Sequence, residues 1–302
     1  MGYALLWIPA TLVAAAAQTA RNAMQRRLTE LIGTVGATQV RFLYGLPFAI
    51  LFLGVVLLAS GEHLPGGGAA FAGYLALGAG TQIAATVLML AAMSGRSFSV
   101  VTALLKTEPV LLAIGGFLVL GDRLSPLATL GIAVATGGVL TVSWSPRTAG
   151  DVAGAGWRPI LLGIAAGGLF AFSAIGFRGA ILALDGGSFL VRASTALAGG
   201  LALQTFALAL WLGAFDRRAF AASLREWRSS LLAGFAGAFA SQFWFIGFAL
   251  TAAANVRTLA LVEVIMALAV SRRFLAQSTS RRELAGLGLI TGGVLALLLG
   301  QA

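Results

Sequence analysis

The stretch Leu104–Leu140, LLKTEPVLLAIGGFLVLGDRLSPLATLGIAVATGGVL, returns at an offset of 155 residues as Leu259–Leu295, LALVEVIMALAVSRRFLAQSTSRRELAGLGLITGGVL. The two align without a gap and agree at ten of 37 positions. Glu108 matches Glu263, Ser125 matches Ser280, Gly131 matches Gly286, and the run TGGVL recurs at 136–140 and 291–295. Apolar runs resemble one another by chance, but a glutamate inside such a run at a fixed distance from TGGVL is harder to obtain that way. Weaker echoes lie upstream. Thr81-Gln82 is similar to Ser241-Gln242 at an offset of 160, which needs a five-residue gap, and Val40-Arg41 is similar to Val191-Arg192.

Composition fixes the setting of this repeat. The chain has 302 residues, 59% of them apolar and 10% charged, and its mean hydropathy is +0.95. A soluble domain carries roughly 25% charged residues, so this chain lacks the polar surface to face water. Apolar runs long enough to span a bilayer, about 20 residues each, follow one another at 3–20, 37–59, 69–93, 97–120, 125–144, 159–178, 188–213, 230–250, 253–271 and 282–300. They are too long for barrel strands and lack the alternation a barrel needs. The expected fold is an all-α integral membrane protein of ten transmembrane helices. The first 20 residues resemble a signal peptide but have no basic residue before Arg21, so they read as an uncleaved first helix.

The longest polar stretch, SPRTAGDVAGAGWRP at 145–159, falls at mid-chain and reads as a linker. The expected domains are therefore a first five-helix repeat at 1–146, a linker at 147–158 and a second repeat at 159–302. Five is odd, so the second repeat enters the membrane inverted. Inverted repeats of this kind place a transporter's site at the midplane between halves.

Charge orients the chain. Nineteen of the 20 basic residues are arginine; 15 lie in the loops after odd-numbered helices and four in the loops after even-numbered ones. The positive-inside rule makes the odd loops cytoplasmic and puts both termini outside. The net charge of +10 is explained by these loops, not by nucleic acid, since no basic domain with interleaved aromatics is present. With no cysteine, there is neither a disulfide framework nor a thiolate metal site. The lone His63 lies in a Gly/Pro loop and reads as a solvated residue. Arginine, alanine and glycine usage points to a GC-rich bacterial genome, hence an inner membrane.

Glu108-Pro109-Val110, then Gly121-Asp122-Arg123-Leu124-Ser125, then Gly131–Leu140 resemble a run found in the drug/metabolite transporter superfamily, EamA type: a Pro-containing helix 4, a Gly-Glu-Arg-Leu turn and a Gly-rich helix 5. Asp122 stands where the family has Glu, and in the second copy Val264 stands where the proline would be. The resemblance implies two copies of a five-helix unit and transport of a small solute. It also implies cytoplasmic termini, against the charge count.

Charged groups at membrane depth are costly and mark function by default. Glu108, Lys106 and Glu263 are the candidates for a proton- or substrate-binding cluster. The alternative is structural, with the glutamates pairing Lys106, Arg41, Arg192 or Arg257 to lock helices together. Lys106, the one lysine, can lose its proton where arginine cannot. Lys106 and Glu108 are two apart and point to different faces of a regular helix. Pro109 is expected to kink helix 4 or to be a tolerated membrane proline. Gln18, Gln82, Gln242 and Asn255 could bond a polar solute or serve as interhelical glue. Trp244, in Phe243-Trp244-Phe245, could wall a cavity or pack against neighbours. Gly131, Ala135 and Gly138 with Gly288 and Gly292 are expected to join helix 5 to helix 10. The segment Asp216–Arg228, with apolar Phe220, Leu224 and Trp227, reads as a short interfacial helix on the cytoplasmic surface.

These readings add up to a secondary transporter, an exporter of a small metabolite, amino-acid-like or amphipathic compound, working by alternating access and proton-coupled. A flippase for a lipid or lipid-linked carrier is the alternative. An intramembrane enzyme is disfavoured, because no HExxH, His pair, Asp-rich metal motif or Walker loop is found. No cofactor or metal is expected. The expected partners are a small-molecule substrate and membrane lipids. A monomer suffices, and a dimer is compatible.

Overall fold

Apolar periodicity becomes helix nearly throughout. The computed structural model of the protein describes residues 5–93, 105–143, 157–265 and 281–301. Its helices are α1 (Trp7–Leu43), α2 (Leu46–Ser60), α3 (Ala69–Met93), α4 (Glu108–Leu120), α5 (Pro126–Ser143), α6 (Trp157–Leu182), α7 (Phe189–Phe215), α8 (Arg217–Arg225), α9 (Trp227–Leu250), α10 (Ala253–Leu259) and α11 (Arg281–Leu299). Six described stretches are long and apolar enough to cross a membrane: Val35–Ser60, Ala69–Ala92, Leu161–Leu182, Phe189–Phe215, Ser230–Leu250 and Arg281–Leu299. Glu108–Leu120 and Pro126–Val142 are shorter apolar helices. The polar stretch at mid-chain lies mostly outside the described residues, as do parts of the expected helices at 97–120 and 253–271.

One boundary is corrected. The arginine-bearing segment after the first apolar run was expected as a loop, yet α1 continues through it to Gly33. There the backbone takes φ +74°, a left-handed value that glycine accepts without a Cβ penalty. The chain then resumes helix and runs through a turn at Tyr44-Gly45 into α2, which makes Val35–Ser60 one apolar span. Arginine is a good helix former, so basic residues mark a membrane edge without ending a helix.

The contacts sort the chain into two compact units, and each draws on both halves of the sequence. Unit one contains residues 1–87 and 173–251; unit two contains 88–172 and 252–302. In unit one, α1 packs along α9, and α7 packs on α2 and α9. Gly78 of α3 lies directly against Gly176 of α6, and the Ser173 hydroxyl donates to the Gly78 carbonyl at 3.0 Å. Two two-residue strands, β1 (Gly66–Gly67) and β2 (Leu184–Asp185), pair antiparallel, a small addition to the all-helical expectation. The Glu62 carboxylate accepts from the Ser188 amide beside them at 2.6 Å.

Unit two is centred on α5 and α11, which run close together. A Cβ at Gly131 would stand 2.6 Å from the Gly293 carbonyl oxygen, and one at Gly138 would stand 2.7 Å from the Ile290 amide nitrogen. The expected contact is present, but its second face is corrected. Gly286 and Gly293 meet α5, while Gly288 and Gly292 have no atom within 4 Å of a would-be Cβ. The buried residues of α11 are Gly286, Ile290, Gly293, Val294 and Leu297, a stripe spaced by three and four. Gly288 and Gly292 fall on the other side of that helix. Gly293→Val is therefore expected to destabilise the protein by about 1–3 kcal/mol through overpacking. Gly292→Val has the same change in helix propensity and should leave the melting temperature in detergent nearly unchanged.

Candidate functional site

The sequence around Lys106 cannot hold a regular helix to its end. The chain is helical at Leu105, turns at Lys106-Thr107, and starts α4 at Glu108. The Thr107 carbonyl accepts from the Val110 amide at 3.1 Å and from the Leu111 amide at 3.4 Å. Pro109 sits in the first turn of α4, where a missing N–H leaves no bond unmade. It thus opens a new helix instead of kinking a continuous one.

The repeat partner is broken at nearly the same place. Helix α10 ends at Leu259, residues 260–261 form a turn, and helix resumes over 262–265. The Glu263 amide donates to the Ala260 carbonyl at 3.0 Å and the Val264 amide to the Leu261 carbonyl at 3.0 Å. These are bonds of three-residue spacing, tighter than the α-helical ladder. No proline is present here, so the break belongs to the repeat and not to Pro109.

The two breaks bring four charges together in unit two. Lys106 Nζ forms an ion pair with Glu263 Oε1. Arg257 Nε lies 3.2 Å from Glu108 Oε1. Each glutamate is thus held by a cation from the other half of the sequence. Glu108 lies in the first turn of α4 and Arg257 in the last turn of α10. An anion at a helix N-terminus and a cation at a C-terminus each complement the helix dipole. Glu108 and Arg257 also act electrostatically on Lys106. Side-chain exposures run from 14% to 22%, so all four are largely withdrawn from the surface. Lys106 and Glu108 do not bond each other; the turn sends each to the opposite segment. Asn255 is buried in α10, two residues before Arg257.

The remaining candidates lie in unit one. The Trp244 indole donates to Gln18 Oε1 at 3.0 Å, the Gln242 amide donates to Ser194 Oγ at 2.9 Å, and the Gln204 amide donates to Gln82 Oε1 at 2.8 Å. Each thus ties one helix to another. Gln204 and Ser194 were missed in the sequence. Both are polar residues inside an apolar run, which is the signal that selected Gln82. Arg178, the last residue of the apolar run at 159–178 and one of the four arginines assigned to loops after even-numbered helices, is buried within α6 and donates to the carbonyls of Phe248 and Thr251 at the end of α9. Among the described residues no group of three or more His, Cys, Asp or Glu could hold a metal ion.

Successive long apolar helices mark a multi-pass membrane protein. Residues 5–144 match the model of the EamA-like transporter family, so that part of the chain is similar to a family of membrane transporters. A solved structure titled "Crystal structure of protein" is similar at a TM-score of 0.68 and 14% identity, covering 98% of this chain and 96% of that one. At that identity it shows the fold alone, over both halves. A comparison with curated proteins gives no match.

The paired charges make a double-mutant test direct. Glu263→Gln removes the carboxylate paired with Lys106 and is expected to lower stability by up to about 3–5 kcal/mol, the cost of breaking a buried pair. The double change Lys106→Met with Glu263→Leu removes both charges and should recover most of that loss. Thermal unfolding of the purified protein reads both.

Proposed function

We propose that the protein is a secondary transporter that exports a small metabolite, amino-acid-like or amphipathic compound by alternating access, with proton coupling. The observation that carries this reading is the coincidence of two helix breaks, two glutamates and two ion pairs at corresponding places in the repeat. Interrupted helices at matched positions of two halves are the usual place of substrate and coupling-ion sites in secondary transporters. On this reading the chain forms ten spans, as inverted repeats 1–146 and 159–302 joined by 147–158. Lys106, Glu108, Glu263 and Arg257 form the coupling set, with Asn255 beside them. Gln18, Gln82, Gln242 and Trp244 supply polar and aromatic contacts to the solute. One monomer suffices.

The chemistry follows from the pairing. A glutamate that takes a proton no longer holds its cation, so protonation of Glu108 or Glu263 frees Arg257 or Lys106 to meet a substrate anion or to reorient. Loss of the proton restores the pair. Opening and closing the two pairs on alternate sides would link the solute's passage to the proton gradient.

A thermal-shift screen of purified protein against metabolites supplies the ligand. Proteoliposomes under a pH gradient then test the mechanism with it. Glu108→Gln and Glu263→Gln are expected to abolish gradient-driven movement in protein that remains folded. Lys106→Arg fixes the charge and enlarges the head group, and should impair transport. Wild-type rates in both glutamine variants would reduce the pairs to helix locks. On the positive-inside reading of the arginine distribution, we propose termini outside an inner membrane. A C-terminal reporter active only in the cytoplasm should therefore stay silent, and a strong signal would reverse the orientation.

A further inference from the structure

Helix α8 and the segment after it do something that the paired charges do not explain. Nine residues long, α8 is capped by Asp216, whose carboxylate accepts from the Ala219 amide at 3.0 Å. Its last turn is fastened to the rest of unit one by the Tyr44 hydroxyl, which donates to the carbonyls of Ser223 at 3.0 Å and Leu224 at 3.3 Å. The Arg217 guanidinium donates to the Gly213 carbonyl at 3.1 Å. The helix therefore has a fixed placement on the body of the unit.

Along one side of α8 lies an open hollow of about 570 Å³. Along α8 it is lined by Arg217 and Arg218, then Ala221 and Ala222, then Arg225, with Glu226 after them and Ile32 of α1 completing the lining. The arginines are two helical turns apart, roughly 12 Å along the axis. The alanines between them create the space, since larger side chains there would fill it. Among the described lining residues, three guanidiniums stand against one carboxylate, an excess of positive charge. Next in the chain to its lining residues Arg225 and Glu226 stand exposed apolar side chains: Leu224 is 46% exposed and Trp227 48% exposed. The Arg228 guanidinium lies 5.3 Å from the centre of the Trp227 ring.

We infer that this hollow seats the head group of an anionic phospholipid. Guanidinium is the side chain best shaped to bond a phosphodiester through two parallel donors. A basic helix with apolar and aromatic neighbours lies in the interface of a bilayer, where its charges meet anionic head groups and its apolar residues meet acyl chains. The exposed Leu224 and Trp227 give an acyl chain a surface to follow, which a free phosphate ion would not use. The described residues that line the hollow all belong to unit one.

Melting of the purified full-length protein in detergent tests this against three probes: short-chain phosphatidylglycerol, short-chain phosphatidylcholine and inorganic phosphate. Phosphatidylglycerol should raise the wild-type melting temperature, and the other two should not. The triple change Arg217→Gln, Arg218→Gln, Arg225→Gln is expected to weaken the phosphatidylglycerol response about a hundredfold in concentration, the effect of removing three basic residues from a lipid-facing surface. Ala221→Trp keeps every charge and fills the hollow, so it gives the same answer if the triple variant does not fold. An equal response to phosphate, or an unchanged phosphatidylglycerol response in a folded variant, would overturn the inference.

Discussion

In hydrocarbon a backbone N–H or C=O without a partner inside the protein costs several kcal/mol, because no water is there to take its place. That cost is why the chain is helical almost wherever it is apolar. It also gives weight to the two places where the helical ladder is interrupted, at Lys106-Thr107 and at Ala260-Leu261. Each break leaves helix ends with partial charge inside an apolar run. The side chains around them carry the complementary full charges: Glu108 at the start of α4, Arg257 at the end of α10, and Lys106 with Glu263 alongside. The irregular backbone and the costly charges thus support each other. A glutamate alone at that depth would be expensive, and a broken helix without charges would be under-bonded.

Packing sets a contrasting element beside this in unit two. Helices gain little from merely leaving lipid, so association relies on close approach of backbones through small residues. Gly131, Ala135 and Gly138 on α5 face Gly293 and Gly286 on α11 with no room for another carbon. Two cylinders fitted so closely resist sliding. Backbone without four-residue hydrogen bonds bends more easily. Unit two therefore joins one rigid helix pair to two segments where bending costs least, and its charges are on the latter.

Much of this was legible in the sequence because it rests on composition and repetition. The apolar runs anticipate the long helices closely: the run at 69–93 is α3, and the one at 282–300 differs from α11 by one residue at each end. The glutamates were found because a charge inside an apolar run is rare, and their cations were among the few basic residues within reach. Other features were hidden for physical reasons. Pattern alone does not give a helix's rotation, so the α11 face was assigned to Gly288 and Gly292 instead of Gly286 and Gly293. The breaks depend on local hydrogen bonding that no residue type announces, as Val264 shows by standing beside one. Arg178 was misplaced because a buried arginine and a boundary arginine look alike in one dimension. Only its bonds to the end of α9 tell them apart.

The interleaving of the two units has a consequence for how the protein is made. A ribosome delivers residues in order, yet unit one needs Ser173–Thr251 to complete what residues up to Val87 begin. Strand β1 must wait for β2, and the Glu62 carboxylate for the Ser188 amide. Unit two in turn is incomplete until α11 has left the translocon to lie against α5. During synthesis the early spans therefore reside in lipid with their glycine faces uncovered and Glu108 without Arg257. Lipids, or the insertion machinery, must shelter them until the last helix arrives. A chain released at mid-length would be an assembly intermediate, not a small working half.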